Sequence, residues 1–380
     1  MRIAILAPTA QSAFQAESPA LIGGAERQLA LLARALVERG HRVDVLVAGD
    51  EAEPIEGAYG RLWPRYPLGG LPLLKLIHPK GSAILRFLGE RDSELLLQRG
   101  ASELTALGAA AARLKGIPFV FVLASDRDLD PGREILPHPQ DRVLFHESLR
   151  AAGCVIAQTR AQVTALWRRY GRMGKIVPSF LDAGSPDPAG ELGAAVIWGG
   201  NIRPIKRPEW LIVLAQRFPD QRFIVYGGPG AGCERYAERI FARMRALPNI
   251  DILGRLAPAL AAQTFRRARI LVNSSEAEGF PNTFLEAWRQ GLRVLASVDP
   301  DHLLQEEGLG IFAPNLEAMS KGLSALSTES ETTRRAAQER ARAYVAKHHE
   351  FNRLADTWEA LLVEASSPLA DIAARREAAG

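Results

Sequence analysis

Two kinds of hydrophobic run take turns along the chain. Unbroken apolar stretches of strand length, the first being RIAILAPT (Arg2 to Thr9), give way to longer segments whose apolar residues recur at helical spacing. Leu29, Leu32, Ala33, Leu36 and Val37 do so before Gly40. A strand that is apolar at successive positions is buried on both faces, as in a parallel sheet clad in helices. HRVDVLVAG completes a βαβ unit, and IPFVFVLAS (Ile117 to Ser125) and CVIAQT (Cys154 to Thr159) supply further strands before KIVPSFLD closes this half. SPDPAGELG (Ser185 to Gly193) has the Pro, Gly and Asp density of a linker. Beyond it the alternation restarts: AAVIWGG, RFIVYGG, IDILG, ILVNSS and RVLAS interleave with helical stretches such as RPEWLIVLAQRF, the pattern of a second α/β sheet. The predicted fold is therefore α/β, with one domain over residues 1–184, another over 185–349, and a cleft between them. A C-terminal helix over 350–380 completes the first domain through the amphipathic DTWEALLVEA (Asp356 to Ala365).

Candidate chemistry concentrates in EGFPNTFLE, Glu278 to Glu286, where two carboxylates with seven residues between them straddle a loop that runs into a helix. The preceding strand, Asn282 as an N-cap, Gly291 as a stop and the following RVLAS make a strand–loop–helix–strand unit. Ligands of such sheets sit at the C-terminal ends of the strands. Backbone amides at the start of the Thr283 helix attract an anion such as a phosphate, whereas carboxylates repel it, so the two acids face neutral hydroxyls instead. An ionised carboxylate accepts two hydrogen bonds from a vicinal diol. An anion site flanked by two such acids suits a nucleoside diphosphate sugar. The competing reading makes Glu278 a solvated loop residue and Glu286 a favourable first-turn charge. In the first half, the connection ahead of IGGAERQ (Ile22 to Gln28) exceeds a dozen residues, where about 2 to 6 is usual and long ones tend to be functional. Gly23 and Gly24 there permit close backbone approach to a ligand, or are a plain turn.

Composition adds exclusions. At 47% apolar and 24% charged over 380 residues, the chain is an ordinary soluble globular one of two-domain length. A net charge of +4 permits phosphate ligands or an anionic membrane surface, but the patterning does not favour nucleic acid. Cys154 and Cys233 form no CxxC spacing and no disulfide framework, so a reducing cytosol is expected. The N-terminal apolar run is too short for a signal peptide's core, and no stretch reaches the roughly 18 apolar residues of a spanning helix, so a cytoplasmic location is expected.

The two-domain order, GGAERQ, VIAQT, GNIRPIK and EGFPNTFLEA together resemble the retaining GT-B glycosyltransferases of family four, over nearly the whole chain. The resemblance implies two Rossmann-like domains, transfer of a sugar from a nucleoside diphosphate sugar to a saccharide or lipid-linked acceptor, and no metal or other cofactor. It implies that Glu278 faces hydroxyls of the donor sugar and Glu286 the nucleotide ribose. The amides of Gly279, Phe280 and Asn282 would line the sugar, and those of Thr283 and Phe284 would hold the diphosphate. Lys206 matches the lysine that neutralises the leaving group, and Gly24 the glycine at the phosphates. A role in bacterial cell-surface polysaccharide or glycolipid synthesis follows as the expectation, with a nucleotide-sugar epimerase or a noncatalytic binding module as alternatives.

Some positions depart from the family pattern. Asn201 stands where the family has an arginine five residues before the lysine, and Arg203 is the candidate to replace its charge. A histidine expected after a first-domain strand is missing from LASDRDLD (Leu123 to Asp130). Asp126, Asp128 and Asp130 there spell a D-x-D, which holds a divalent metal in a different glycosyltransferase fold. A polar loop near the acceptor is preferred, with Asp126 orienting an acceptor hydroxyl or capping a turn. VYGGPGAGC (Val225 to Cys233) fails the dinucleotide fingerprint, because Cys233 occupies the third glycine position, and reads as a turn near the nucleotide. LGGLPLLKLIHPKGSAILRFLG (Leu68 to Gly89), with Lys75, His78, Lys80 and Arg86, is either a peripheral contact to anionic lipid at the membrane's inner face or a core helix with snorkelling lysines, the latter preferred. WRRYGRMGK (Trp167 to Lys175) reads as a solvated basic face.

Overall fold

The structure, a computed structural model, describes all residues except 15–22, 52, 70–75, 131–132, 134–135, 137, 182–191 and 368–380. The chain divides into two compact units, and the second comprises Leu181–Glu350 together with a short piece that ends at Gly23. Unit 1 contains β1 (Arg2–Leu6), α1 (Gly24–Glu38), β2 (Arg42–Ala48), β3 (Ile55–Gly57), β4 (Gly60–Tyr66), α2 (Ser82–Arg91), β5 (Leu95–Arg99), α3 (Glu103–Lys115), β6 (Phe119–Val122), α4 (Pro139–Ala151), β7 (Cys154–Ala157), α5 (Arg160–Tyr170) and β8 (Lys175–Ile176). Unit 2 contains β9 (Ala195–Gly199), α6 (Glu209–Arg217), β10 (Phe223–Tyr226), α7 (Glu234–Arg245), β11 (Ile250–Gly254), α8 (Pro258–Arg266), β12 (Ala268–Asn273), α9 (Asn282–Gln290), β13 (Arg293–Ala296), α10 (Leu303–Glu306), β14 (Gly310–Phe312), α11 (Leu316–Ser327) and α12 (Glu331–His348). The last helix, α13 (Phe351–Ala365), belongs to unit 1.

The first sheet runs β3-β4-β2-β1-β5-β6-β7-β8, parallel except for the β3/β4 pair. Its β1, β6 and β7 are the continuous apolar runs of the sequence, and β1 and β5 are buried at nearly every position. The order reverses between β1 and β5, the crevice where doubly wound sheets hold ligands. Helix α13 seats on α1. Arg39 donates to Asp356, Phe351 packs 5.2 Å from Phe180, and the Arg34 guanidinium lies 4.6 Å from the Phe351 ring centre. The described part of the expected 350–380 helix ends at Ala365, and 368–380 lie outside the described residues. Within 68–89 the core reading holds in part: Ile84, Phe87 and Leu88 of α2 are buried and Lys80 is buried in an ion pair with Glu103, whereas Leu68 and Ile77 are exposed. Lys75 is outside the described residues.

The second sheet is all parallel, in the order β11-β10-β9-β12-β13-β14, and reverses between β9 and β12. Phe284, Leu285 and Trp288 of α9 are fully buried against the sheet, and at roughly 1.5–3 kcal/mol per such side chain they fix the helix's rotation. Trp288 also donates its indole N–H to the Leu309 carbonyl at 2.9 Å. Gly291 ends α9 in the left-handed region, φ 83°, as expected. The start differs from the expectation: Pro281 holds the cap position and Asn282 is the first helical residue. The fixed φ of Pro281 suits that entry, and its carbonyl accepts the Phe284 N–H at 3.0 Å.

Candidate active site

Adjacency of β9 and β12 brings together two loops that are far apart in sequence. After β9 the chain passes Asn201 and Arg203 into a tight turn, Pro204–Lys206. After β12 it passes Ser274, Ser275 and Glu278 before entering α9. Across this junction Lys206 Nζ forms an ion pair with Glu278 Oε1, with side-chain exposures of 26% and 15%. Ser275 Oγ donates to the same carboxylate oxygen at 2.6 Å. The loops are tied through main chain as well: Glu276 N–H donates to the Ile205 carbonyl at 2.7 Å, and Ser274 Oγ to the Lys206 carbonyl at 2.7 Å. Trp198 indole N–H in turn donates to Ser274 Oγ at 3.0 Å.

Arg207, the residue after Lys206, is the clamp. It sits in the left-handed region at φ 43° and donates to the carbonyls of Ser274 and Ser275, both at 2.8 Å, and to Ser297 Oγ at 3.0 Å. Its guanidinium stacks 4.0 Å from the Trp210 ring centre, and burial lowers its pKa. A positive φ is uncommon for arginine, and three directed hydrogen bonds hold it there. Arg207, Ser274 and Ser275 were not among the expected site residues. An arginine next to a lysine carries no sequence signal of which one turns inward.

Glu286 is half-buried on α9, and its Oε2 accepts from the Tyr226 hydroxyl at 3.3 Å. The Tyr226 ring lies against Gly199, so close that a Cβ there would fall 1.9 Å from the ring. Phe280 and Phe284 turn their side chains inward. Phe280 packs 6.3 Å from Trp288 and 5.3 Å from His349, which leaves only main chain to a ligand. Of the two amides expected at a diphosphate, those of Thr283 and Phe284, that of Phe284 donates to the Pro281 carbonyl within the first turn of α9. Gly279, next to Glu278 in the chain, is buried. Arg203 lies over Gly230, where a Cβ would fall 2.3 Å from its Nε, and that buried Nε has no hydrogen-bond partner. Gly227, at φ 125°, approaches the Gly200 carbonyl so closely that a Cβ would meet it at 2.0 Å, so the VYGGPGAGC segment is a tight turn.

Gly24 is the first residue of α1 in unit 1, and Gly23 directly precedes it in the chain. Asp126 begins a one-turn helix, Asp126–Leu129, and its carboxylate accepts from Gln162 at 2.9 Å. Asp128 is buried, capping the same turn through the amides of Ala124 and Ser125 at 2.7 and 3.1 Å. Burial pushes its carboxyl above the usual range, and those amides and Arg99 partly pull it back. Burial likewise lowers the Arg99 guanidinium to about 10, against the opposing charges of Asp128 and Glu26. Asp130 instead faces Arg133 at 3.7 Å. The three aspartates thus have three separate sets of partners, and no group of three metal-ligating side chains occurs among the described residues.

A sequence model of Glycosyltransferase Family 4 matches residues 22–183, and one of Glycosyl transferases group 1 matches residues 194–329. The chain belongs to these glycosyltransferases. This glycosyltransferase has the GT-B fold, as its structural neighbours do. Sucrose-phosphate synthase from Thermosynechococcus elongatus superposes with a TM-score of 0.78 at 18% identity, covering 96% of this chain and 98% of that one. HepE from Anabaena, in complex with UDP-glucose, gives 0.76 at 18% identity over 96% and 100%. A glycosyltransferase from Rickettsia africae gives 0.71 at 15% identity over 97% and 99%. No curated protein matches the sequence. No helix among the described residues is long and apolar enough to cross a membrane.

Proposed function

We propose that this glycosyltransferase moves a hexose, with retention at the anomeric carbon, from a nucleoside diphosphate sugar to a saccharide or lipid-linked acceptor. The observation that carries the reading is the Lys206–Glu278 pair at the point where the second sheet reverses, beside the start of α9. In this scheme the diphosphate takes Lys206 away from Glu278 and rests on the backbone amides that open α9. Freed of the lysine, Glu278 keeps the hydrogen bond from Ser275 and accepts others from sugar hydroxyls. Glu286 accepts from the ribose, steadied by Tyr226. As the bond from the anomeric carbon to the phosphate oxygen breaks, negative charge grows on that oxygen, and Lys206, drawn to the diphosphate when the donor binds, lowers the barrier together with the amides. The acceptor oxygen forms its new bond on the face the leaving group vacates, and its proton passes to the departing phosphate.

Arg203 supplies a second positive charge in place of the arginine absent at Asn201. The scheme calls for no metal, since protein groups neutralise the diphosphate. The complex of HepE with UDP-glucose makes UDP sugars the first donors to try. A cytoplasmic enzyme of bacterial surface polysaccharide or glycolipid synthesis fits such donors. Incubation with UDP and GDP sugars tests the reading: slow donor hydrolysis with release of the nucleoside diphosphate supports transfer. Isomerised nucleotide sugar would make the protein an epimerase, and tight binding without turnover a noncatalytic module.

A further inference from the structure

Positive charge is unevenly spread. Residues 139–176, from α4 through β7 and α5 to β8, carry seven Lys and Arg against Asp141 and Glu147, a net of +5. The whole chain nets +4, so everything else sums to −1. The same stretch exposes large apolar side chains, with Val143 62%, Trp167 54% and Met173 63% accessible and Leu144 and Ile176 close behind. Half of the ten large hydrophobics exposed among the described residues fall in these 38 positions, and a sixth, Val363 of α13, precedes the Glu364 that pairs with Lys175 at 3.0 Å.

These groups share one surface. Helix α5 buries Gln162 and Leu166 and exposes Thr164, Trp167 and Arg168 on the other side. Helix α4 meets it where His146 stacks 5.7 Å from Tyr170, with the Arg150 guanidinium 5.5 Å from the same ring. Strand β8 is the sheet's edge, and both its residues are exposed.

We infer that this corner of unit 1 docks on an anionic lipid bilayer. Apolar and basic side chains alternate along it, Trp167 with Arg168, Met173 with Arg172, Ile176 with Lys175, so the apolar tips can enter the headgroup boundary while the cations meet lipid phosphates. A protein interface would gather its apolar residues at its centre and thin out the charges between them. A nucleic-acid surface would offer stacking rings where this one has Val143, Met173 and Ile176. The inference goes beyond sugar transfer and does not depend on it, because donor binding is measured separately.

The full chain is tested by co-sedimentation with vesicles of phosphatidylcholine alone and with roughly one-third phosphatidylglycerol. Binding is expected only to the anionic vesicles, lost as salt rises from about 0.1 M to about 0.5 M. Trp167 is the one strongly exposed tryptophan among the described residues, so a blue shift of fluorescence on binding reports its burial. Trp167→Ser with Met173→Ser, and separately Arg168→Glu, should each weaken vesicle partition by about tenfold or more. Circular dichroism and nucleotide affinity should stay unchanged. Equal binding to neutral vesicles, no binding to either, wild-type partition of both variants, or binding to duplex DNA without binding to vesicles would each overturn the inference.

Discussion

Replacing Lys206 by alanine separates a catalytic role from a structural one, because the two predict effects of different size. The side chain is 26% exposed and its partner Glu278 15%, so the ion pair is partly screened and contributes only about 1 kcal/mol to folding. Glu278 also keeps its hydrogen bond from Ser275 at 2.6 Å, which limits the cost of leaving it without the lysine. For a domain of this size, a loss of that order lowers the melting temperature by roughly 2–4 °C. The same amine, aimed at the leaving oxygen, is worth about 2.7–4 kcal/mol in the transition state, a 10²–10³-fold fall in kcat. Release of nucleoside diphosphate at saturating donor, paired with calorimetry of nucleotide binding and a thermal melt, reads all three quantities. The account requires kcat to fall far more than affinity and the melt to move by a few degrees at most. A kcat within threefold of wild type would refute the catalytic role, and so would a large loss of folding that accounts for the lost rate.

Other expectations are more local. Glu286→Ala should weaken nucleoside diphosphate binding by about tenfold, read by calorimetry, through loss of charged hydrogen bonds to the ribose; unchanged affinity would count against that role. In Gly199→Ala the new methyl group displaces the Tyr226 ring, so nucleotide affinity should drop although neither residue need touch the diphosphate; an unaffected variant would show Tyr226 to be a bystander to Glu286. Removing the carboxylate in Asp128→Ala leaves two amides and Arg99 without their partner, a predicted cost of about 2–4 kcal/mol in denaturant unfolding. The Cys154 thiol is pushed up to about 11 by burial. Deprotonation makes the reactive form, so at pH 8 only about one thiol in a thousand is thiolate, and labelling of the folded chain should rise steadily with pH up to that value; fast labelling at neutral pH would contradict it.

Strands with continuous apolar runs were legible from sequence because burial on both faces leaves that mark: β1, β6, β7, β9, β10 and β12 stand where their runs do. Strand β4 left none. It carries Arg61, Pro64 and Arg65, and its place beside β2 rests on contacts such as the 2.7 Å hydrogen bond from the Trp63 indole N–H to the buried Asp44. At the site, the family resemblance set Glu278, Glu286 and Lys206 around one donor. The direct contact of Lys206 with Glu278 was not legible, since the two are 72 residues apart and meet only because β9 pairs with β12. The D-x-D spacing at Asp126 shows the reverse limit: three acids close in sequence are held apart by Gln162, by two backbone amides and by Arg133, a separation their spacing does not reveal. Capping at α9 followed the same logic, because proline's fixed φ outweighed the capping preference of the asparagine beside it.

The most direct test of the central claim is a crystal structure of the chain with an intact nucleoside diphosphate sugar. The account predicts the diphosphate on Lys206 and the amides that open α9, with Glu278 on the hexose hydroxyls and Glu286 on the ribose. A donor bound elsewhere, or one bound there while Lys206 stays paired with Glu278, would contradict it.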